Sequence, residues 1–143
     1  MNRYSVPLMA AVLGGLLLTG CSAPSELKAL DRPATADDRL PDGVQVSDVE
    51  NPENIRLLAV DDGVKYFAVT KQESHAACLI VVPTATPPMW GSSCSSPVTD
   101  GEIVKVDVRG AGSTMLVTDG YDTNHLQSEG WKKVHDNVLV ARS

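Results

Sequence analysis

The side chains best suited to proton transfer or metal ligation near neutral pH are the three histidines of this sequence, His75, His125 and His135. His125 and Glu129 stand four positions apart, a spacing that puts two side chains on one helix face, and they are the nearest thing to a ligand pair. The second histidine of a His-Glu-x-x-His motif is missing, as is a third partner at ligand spacing. Ser92, Ser93, Ser95 and Ser96 surround Cys94, yet no Gly-x-Ser-x-Gly elbow raises one of them as a nucleophile. Gly110-Ala111-Gly112 leads into a β-prone run and not a helix, so it reads as a hairpin turn and not an anion cradle. Asp61-Asp62 sits where a turn is expected, and Asp favours turns through its backbone hydrogen bonding. The expectation is a non-enzymatic protein with no metal and no cofactor. A hydrolase using His125 or His135 is the enzymatic alternative, since triads assemble from distant positions.

The three cysteines are more informative. Cys21 closes a leader in which Met1-Asn2-Arg3 supplies a positive start and residues 6–18 form an uncharged apolar run broken only by Pro7, Gly14 and Gly15. A membrane-spanning helix needs about 20 apolar residues, so this run is too short and reads as a signal peptide over residues 1–20. The closing residues, Leu18-Thr19-Gly20-Cys21, resemble the lipobox of bacterial lipoprotein precursors: an aliphatic residue, two small residues and Cys. In that family the thiol receives a diacylglyceryl group, a dedicated peptidase cuts before the Cys, and the new amino terminus can then be acylated. The resemblance implies lipidation at Cys21 and a place on the outer face of the bacterial cell membrane, or on the outer membrane of a host that has one. Each buried methylene is worth about 0.8 kcal/mol, and two chains give stable attachment where one is marginal.

Setting Cys21 aside for lipid leaves one even pair. Export permits oxidation, so Cys78 and Cys94 are expected to form a disulfide closing about seventeen residues, worth roughly 3 kcal/mol in the chain-entropy model. A metal site would need further soft ligands, and C-x₂-C is absent; a catalytic thiol would need a base that the sequence does not place.

These groups must be carried by a small fold. The chain has 143 residues, 43% hydrophobic, 21% charged and 4% aromatic, which allows one domain with an aliphatic core. A net charge of −6 disfavours nucleic acid and anionic surfaces as partners. Residues 21–52, rich in Pro and Asp with little hydrophobic periodicity, read as a flexible, solvated tether. Asp37, Asp38, Asp42, Asp48, Glu50 and Glu53 lack EF-hand spacing and are expected to be solvated charge. Val44 and Val46 alternate with polar neighbours and suggest an early edge strand.

The domain proper, residues 53–143, is expected to be mainly β. Residues 55–60 and 64–70 flank Asp61-Asp62-Gly63 as a hairpin. Residues 76–82 are nearly all apolar, as in a strand buried on both faces, and Pro83 ends it. Residues 83–93 read as a loop holding Met89 and Trp90. Two further strands, over 103–108 and 114–117, flank the Gly110 turn. Asp122 opens a short helix that carries Leu126 and ends at Gly130. A closing segment from Trp131 turns at Asp136-Asn137. The sum is an antiparallel sheet or sandwich of about six or seven strands with at most one short helix.

Prolines beside a large ring make Met89 and Trp90 the candidates for partner contact, with Trp90 as cover over the Cys78 and Cys94 bridge as the alternative. The region 55–142 is also similar to small lipoproteins of actinobacteria. The likeness rests on Cys78-Leu79-Ile80-Val81-Val82, Trp90-Gly91-Ser92-Ser93-Cys94, Asp119-Gly120-Tyr121, Gly130-Trp131 and Asn137-Val138-Leu139-Val140, and it brings no catalytic residues. The leading expectation is a membrane-anchored module that binds a protein or another envelope component. An acidic inhibitor of a basic hydrolase is the alternative from a second class.

Overall fold

A computed structural model describes residues 27–46, 54–71, 74–87, 89–95 and 101–141. The signal peptide, the lipobox and Cys21 lie outside the described residues, as does the rest of the tether at 22–26 and 47–52. Eight strands form two antiparallel sheets of four. The first joins β1 (Arg56–Asp61), β2 (Val64–Thr70), β3 (Ala77–Pro83) and β4 (Gly91–Ser95) in chain order. The second joins β5 (Glu102–Val108), β6 (Gly112–Val117), β7 (Lys132–His135) and β8 (Val138–Ala141) in the order β5-β6-β8-β7. A short helix, α1 (Asn124–Ser128), links β6 to β7.

Local chemistry explains most of these elements. The β1–β2 turn places Asp62 and Gly63 both at positive φ, the requirement of a tight hairpin turn that suits right-twisted strands. Gly130, at φ +99°, ends the helical stretch as expected. The exception is β4. The segment Gly-Ser-Ser-Cys-Ser has poor intrinsic strand preference and was expected to be largely loop, but the neighbouring strand imposes the conformation. Ser95 through Gly91 run opposite Ala77 through Val81, with Cys78 directly across from Cys94. This unforeseen strand, with the final segment folding as the pair β7–β8, brings the total to eight. Gly91 is the residue that fits at the start of β4, because a Cβ there would lie 2.7 Å from Val108 Cγ2 of β5. The two sheets therefore meet closely along this edge.

Hydrophobic residues fill three layers. Between the sheets lie Val64, Tyr66, Ala68, Leu79 and Val81 from one side and Ile103, Val106, Leu116, Val138 and Val140 from the other. Outside the second sheet, Leu126 of α1 covers Met115, Val117 and Leu139, with Tyr121 and Trp131 at the margin. Outside the first sheet, Phe67, Val69, Cys78, Ile80 and Val82 form a second apolar face. That double burial is why β3 is apolar throughout and buried at every position.

The cover for this outer face corrects the reading of residues 27–46 as solvated tether. Val44 is buried on it and Leu40 and Val46 pack alongside, with no strand in this segment. Leu27 enters the core between the sheets and is 2% exposed. Burying side chains of this size stabilises by about 1.5–3 kcal/mol each, enough to dock an irregular segment without regular periodicity. Asp38 is likewise buried, at 4% exposure, and not solvated.

Among the described residues two buried side-chain oxygens are unmatched, the Thr114 hydroxyl of β6 and the Tyr66 hydroxyl of β2. The Tyr66 hydroxyl is buried without a hydrogen-bond partner, and burial, with a smaller contribution from Asp61, pushes the phenol up to about 12. Tyr66→Phe is therefore expected to leave stability at pH 7 unchanged or raise it by about 1 kcal/mol. In the wild type, stability should fall as pH rises above about 10, because the unfolded chain ionises its phenol while the folded one holds the proton. The variant should lack that slope. Urea unfolding at pH 7 and pH 11 measures both, and a loss above 1 kcal/mol at pH 7 would mean the hydroxyl is bonded after all.

Candidate functional site

The three histidines fall on three different segments of the fold. His75 is exposed in the β2–β3 connection at φ +53°. His125 is exposed on α1 and meets Tyr121 edge-on at 5.9 Å; its carbonyl, not its ring, accepts from the Glu129 amide. His135 is half-buried at the end of β7, where Nδ1 accepts from the Asn137 amide at 3.1 Å. Burial lowers its pKa, against the opposing pull of Asp136 and Asp119, which suits a ring whose Nδ1 must stay an acceptor. Among the described residues no group of three or more His, Cys, Asp or Glu could hold a metal ion.

The polar groups that the fold does gather fasten the entering chain at one end of the sandwich. After Leu27 the chain makes a single 3-10 turn, Lys28–Leu30, closed by the Leu30 amide on Leu27 and the Asp31 amide on Lys28. The Lys28 amide donates to Asp119 Oδ2 at 2.8 Å, just beyond β6. The other oxygen of that carboxylate accepts from Asn137 Nδ2 at 2.7 Å, and the same amide group reaches the Val117 carbonyl at 3.1 Å. Asp119 thus joins the entering chain to the β7–β8 turn.

A second fastening lies beside the start of β1. Asp38 accepts from Arg32 through two nitrogens, at 2.7 and 2.6 Å, from the Thr35 amide at 2.7 Å and hydroxyl at 3.0 Å, and from the Leu57 amide at 2.7 Å. Arg32 also donates to the Leu57 carbonyl, and the buried Arg56 donates to the carbonyls of Arg32 and Ile55. The Arg32 guanidinium holds the Asp38 carboxyl far below the usual carboxylate range, outweighing desolvation, with the Thr35 and Leu57 amides adding to it. Asp38 in turn raises Arg32. Sequence reasoning missed this site because Asp38 stands in an acidic, proline-rich stretch that resembles solvated linker. The signal was there in the arginine six positions earlier, but one long-range amide, Leu57, completes the cage.

Strand register defines the opposite end. Asp61, Pro83, Gly91, Val108 and Lys132 fall there, and Lys132 Nζ bridges the sheets to Asp61 at 2.8 Å. An exposed pair of this kind contributes at most about 1 kcal/mol. The two partner-contact candidates separate at this end. Trp90 is half-buried and, like Cys94, packs against the apolar cluster on the outer face of the first sheet that contains Cys78. Met89 is 41% exposed, and with Val60 it makes up the exposed large hydrophobics of the described residues.

Cys78 and Cys94 are bonded, their Cα atoms 4.0 Å apart across the β3–β4 pair. No helix among the described residues is long and apolar enough to cross a membrane. No protein-family model, curated protein or solved structure matches the chain.

Proposed function

We propose that this chain is the precursor of an exported, lipid-anchored envelope protein whose β-sandwich is a non-enzymatic interaction module held at the membrane by Cys21. The observation that carries the reading is the partition of the three cysteines. Two are joined within the fold. The third closes an uncharged apolar leader ahead of it, as the last residue of Leu18-Thr19-Gly20-Cys21. A structural disulfide fits an oxidising compartment, and a lipobox thiol fits the route there. Asp38, Asp119 and Asn137 are bonded to the chain's own groups, a fastening role.

The test is metabolic labelling with palmitate followed by detergent phase partition. Wild type is expected to carry label and enter the detergent phase, whereas Cys21→Ala should lose all label and remain a full-length, unprocessed precursor. An unlabelled wild type in the aqueous phase would refute the anchor. Crosslinking in intact cells then addresses the binding role, and recovery of no partner at all would count against it.

A further inference from the structure

The docked entry of the chain fixes which way the domain faces. Between Cys21 and Leu27 lie only residues 22–26. Six residue steps at full extension span at most about 20–22 Å. Leu27 cannot follow the lipid outward, because its side chain is locked between the sheets and the next amide is bound to Asp119. The Arg32–Asp38 cage at Leu57 holds the following residues to the same end. A domain of this size has a diameter near 35 Å, from a radius of gyration of about 13 Å. Glu102, the first residue of β5, and Arg109, the residue after its last, are themselves separated by roughly 23 Å at the usual strand rise. The free reach is therefore shorter than the domain, and the far end cannot turn down to the membrane.

On the reading of Cys21 as acylated, we propose that the sandwich stands on its anchored end. The surface around Lys28–Leu30, Asp119 and Glu102 is apposed to the phospholipid headgroups, and the end bearing Val60, Met89 and Arg109 projects away from them. Register places Glu102 beside the anchored end, since Gly101 exchanges hydrogen bonds with Thr118, the neighbour of Asp119. Charge is not what holds this face down. Lys28, Arg32 and Lys133 share this end with Asp31, Glu102, Asp119 and Asp136, and Lys133 is paired with Asp136, a mixture without the excess of cations that anionic lipid attracts. The short tether imposes the orientation, and it turns the exposed Val60 and Met89 of the far end away from the membrane.

Energy transfer from the two ends of one strand tests this. Glu102→Cys and Arg109→Cys, both at exposed positions, are labelled with fluorescein in the processed, lipid-bearing protein, after a thiol count shows Cys78–Cys94 intact. The proteins are reconstituted in phosphatidylcholine vesicles containing a rhodamine-labelled lipid. Transfer from position 102 should exceed that from 109 about twofold, given the strand's length. Inserting about fifteen Gly and Ser residues after Glu26 should abolish the difference by freeing the domain to turn. Equal transfer without the insertion, or a difference that survives it, overturns the orientation while leaving the anchor intact. Wild-type protein that fails to join the vesicles overturns the anchor and the orientation with it.

Discussion

Asp38→Ala is expected to lower the stability of the domain by about 3–4 kcal/mol, the usual cost of removing one partner from a buried, hydrogen-bonded ion pair. The carboxylate receives two nitrogens of Arg32, the Thr35 amide and hydroxyl, and the Leu57 amide, so alanine leaves several donors short of an acceptor at once. Arg32 is partly exposed and regains water, which keeps the loss at the lower end of the range for such pairs. The sign of the pH dependence follows from the depressed carboxylate. A group held below its unfolded value, about 4, contributes fully above that value and loses its contribution only as pH falls through the much lower folded one. The gap between wild type and Asp38→Ala should therefore be constant from pH 8 to about pH 5 and narrow only in stronger acid. Urea unfolding across this range measures it, with Asp37→Ala, a neighbour at an exposed position, as the control that should change little. A variant as stable as wild type would mean that residues 27–46 are not fastened as described.

The second large effect belongs to the disulfide. The double variant Cys78→Ala, Cys94→Ala, or chemical reduction of the wild type, should cost about 3 kcal/mol, because the bond closes a short loop in the unfolded chain. For a domain of this size that lowers the melting temperature by roughly 10–20 °C. The damage should begin at β4. Gly91, Ser92, Ser93 and Ser95 contribute few apolar contacts and little strand preference, so pairing with β3 and the bond at Cys94 are what keep them in the sheet. Hydrogen exchange should show amides of β4 losing protection while those of β2 and the β6–β8 pair keep theirs. Loss of protection spread evenly over both sheets would contradict the placement of β4 as a stapled edge.

Particular residues show what could be read before the structure. The β1–β2 hairpin was legible because Asp62-Gly63 between two β-prone runs has few other solutions, and the apolar run of β3 announced burial on both faces. Leu126 and Gly130 marked α1 and its end, and cysteine pairing followed from setting Cys21 apart. What escaped was structure imposed from a distance. The serines of β4 fold as a strand because Ala77–Pro83 offers an unpaired edge. Leu27, Leu40 and Val44 have no common period because an irregular segment buries side chains wherever it crosses an apolar face. Asp119 and Asn137 read as turn formers, and turn formers they are, but their link to Lys28 spans 91 positions and leaves no local trace. These misses share a consequence: the packed part of the chain reaches back at least to Leu27, well before residue 53.

On the proposed reading, Cys21 is the acylated first residue of a mature chain whose other two cysteines are bonded. Mass spectrometry of the protein isolated from membranes of its expressing cells reads both at once. The prediction is an amino-terminal peptide beginning at Cys21 and carrying a diacylglyceryl group, together with a disulfide-linked peptide pair containing Cys78 and Cys94. A mature chain that starts elsewhere, or that carries Cys21 as an unmodified thiol, would contradict it.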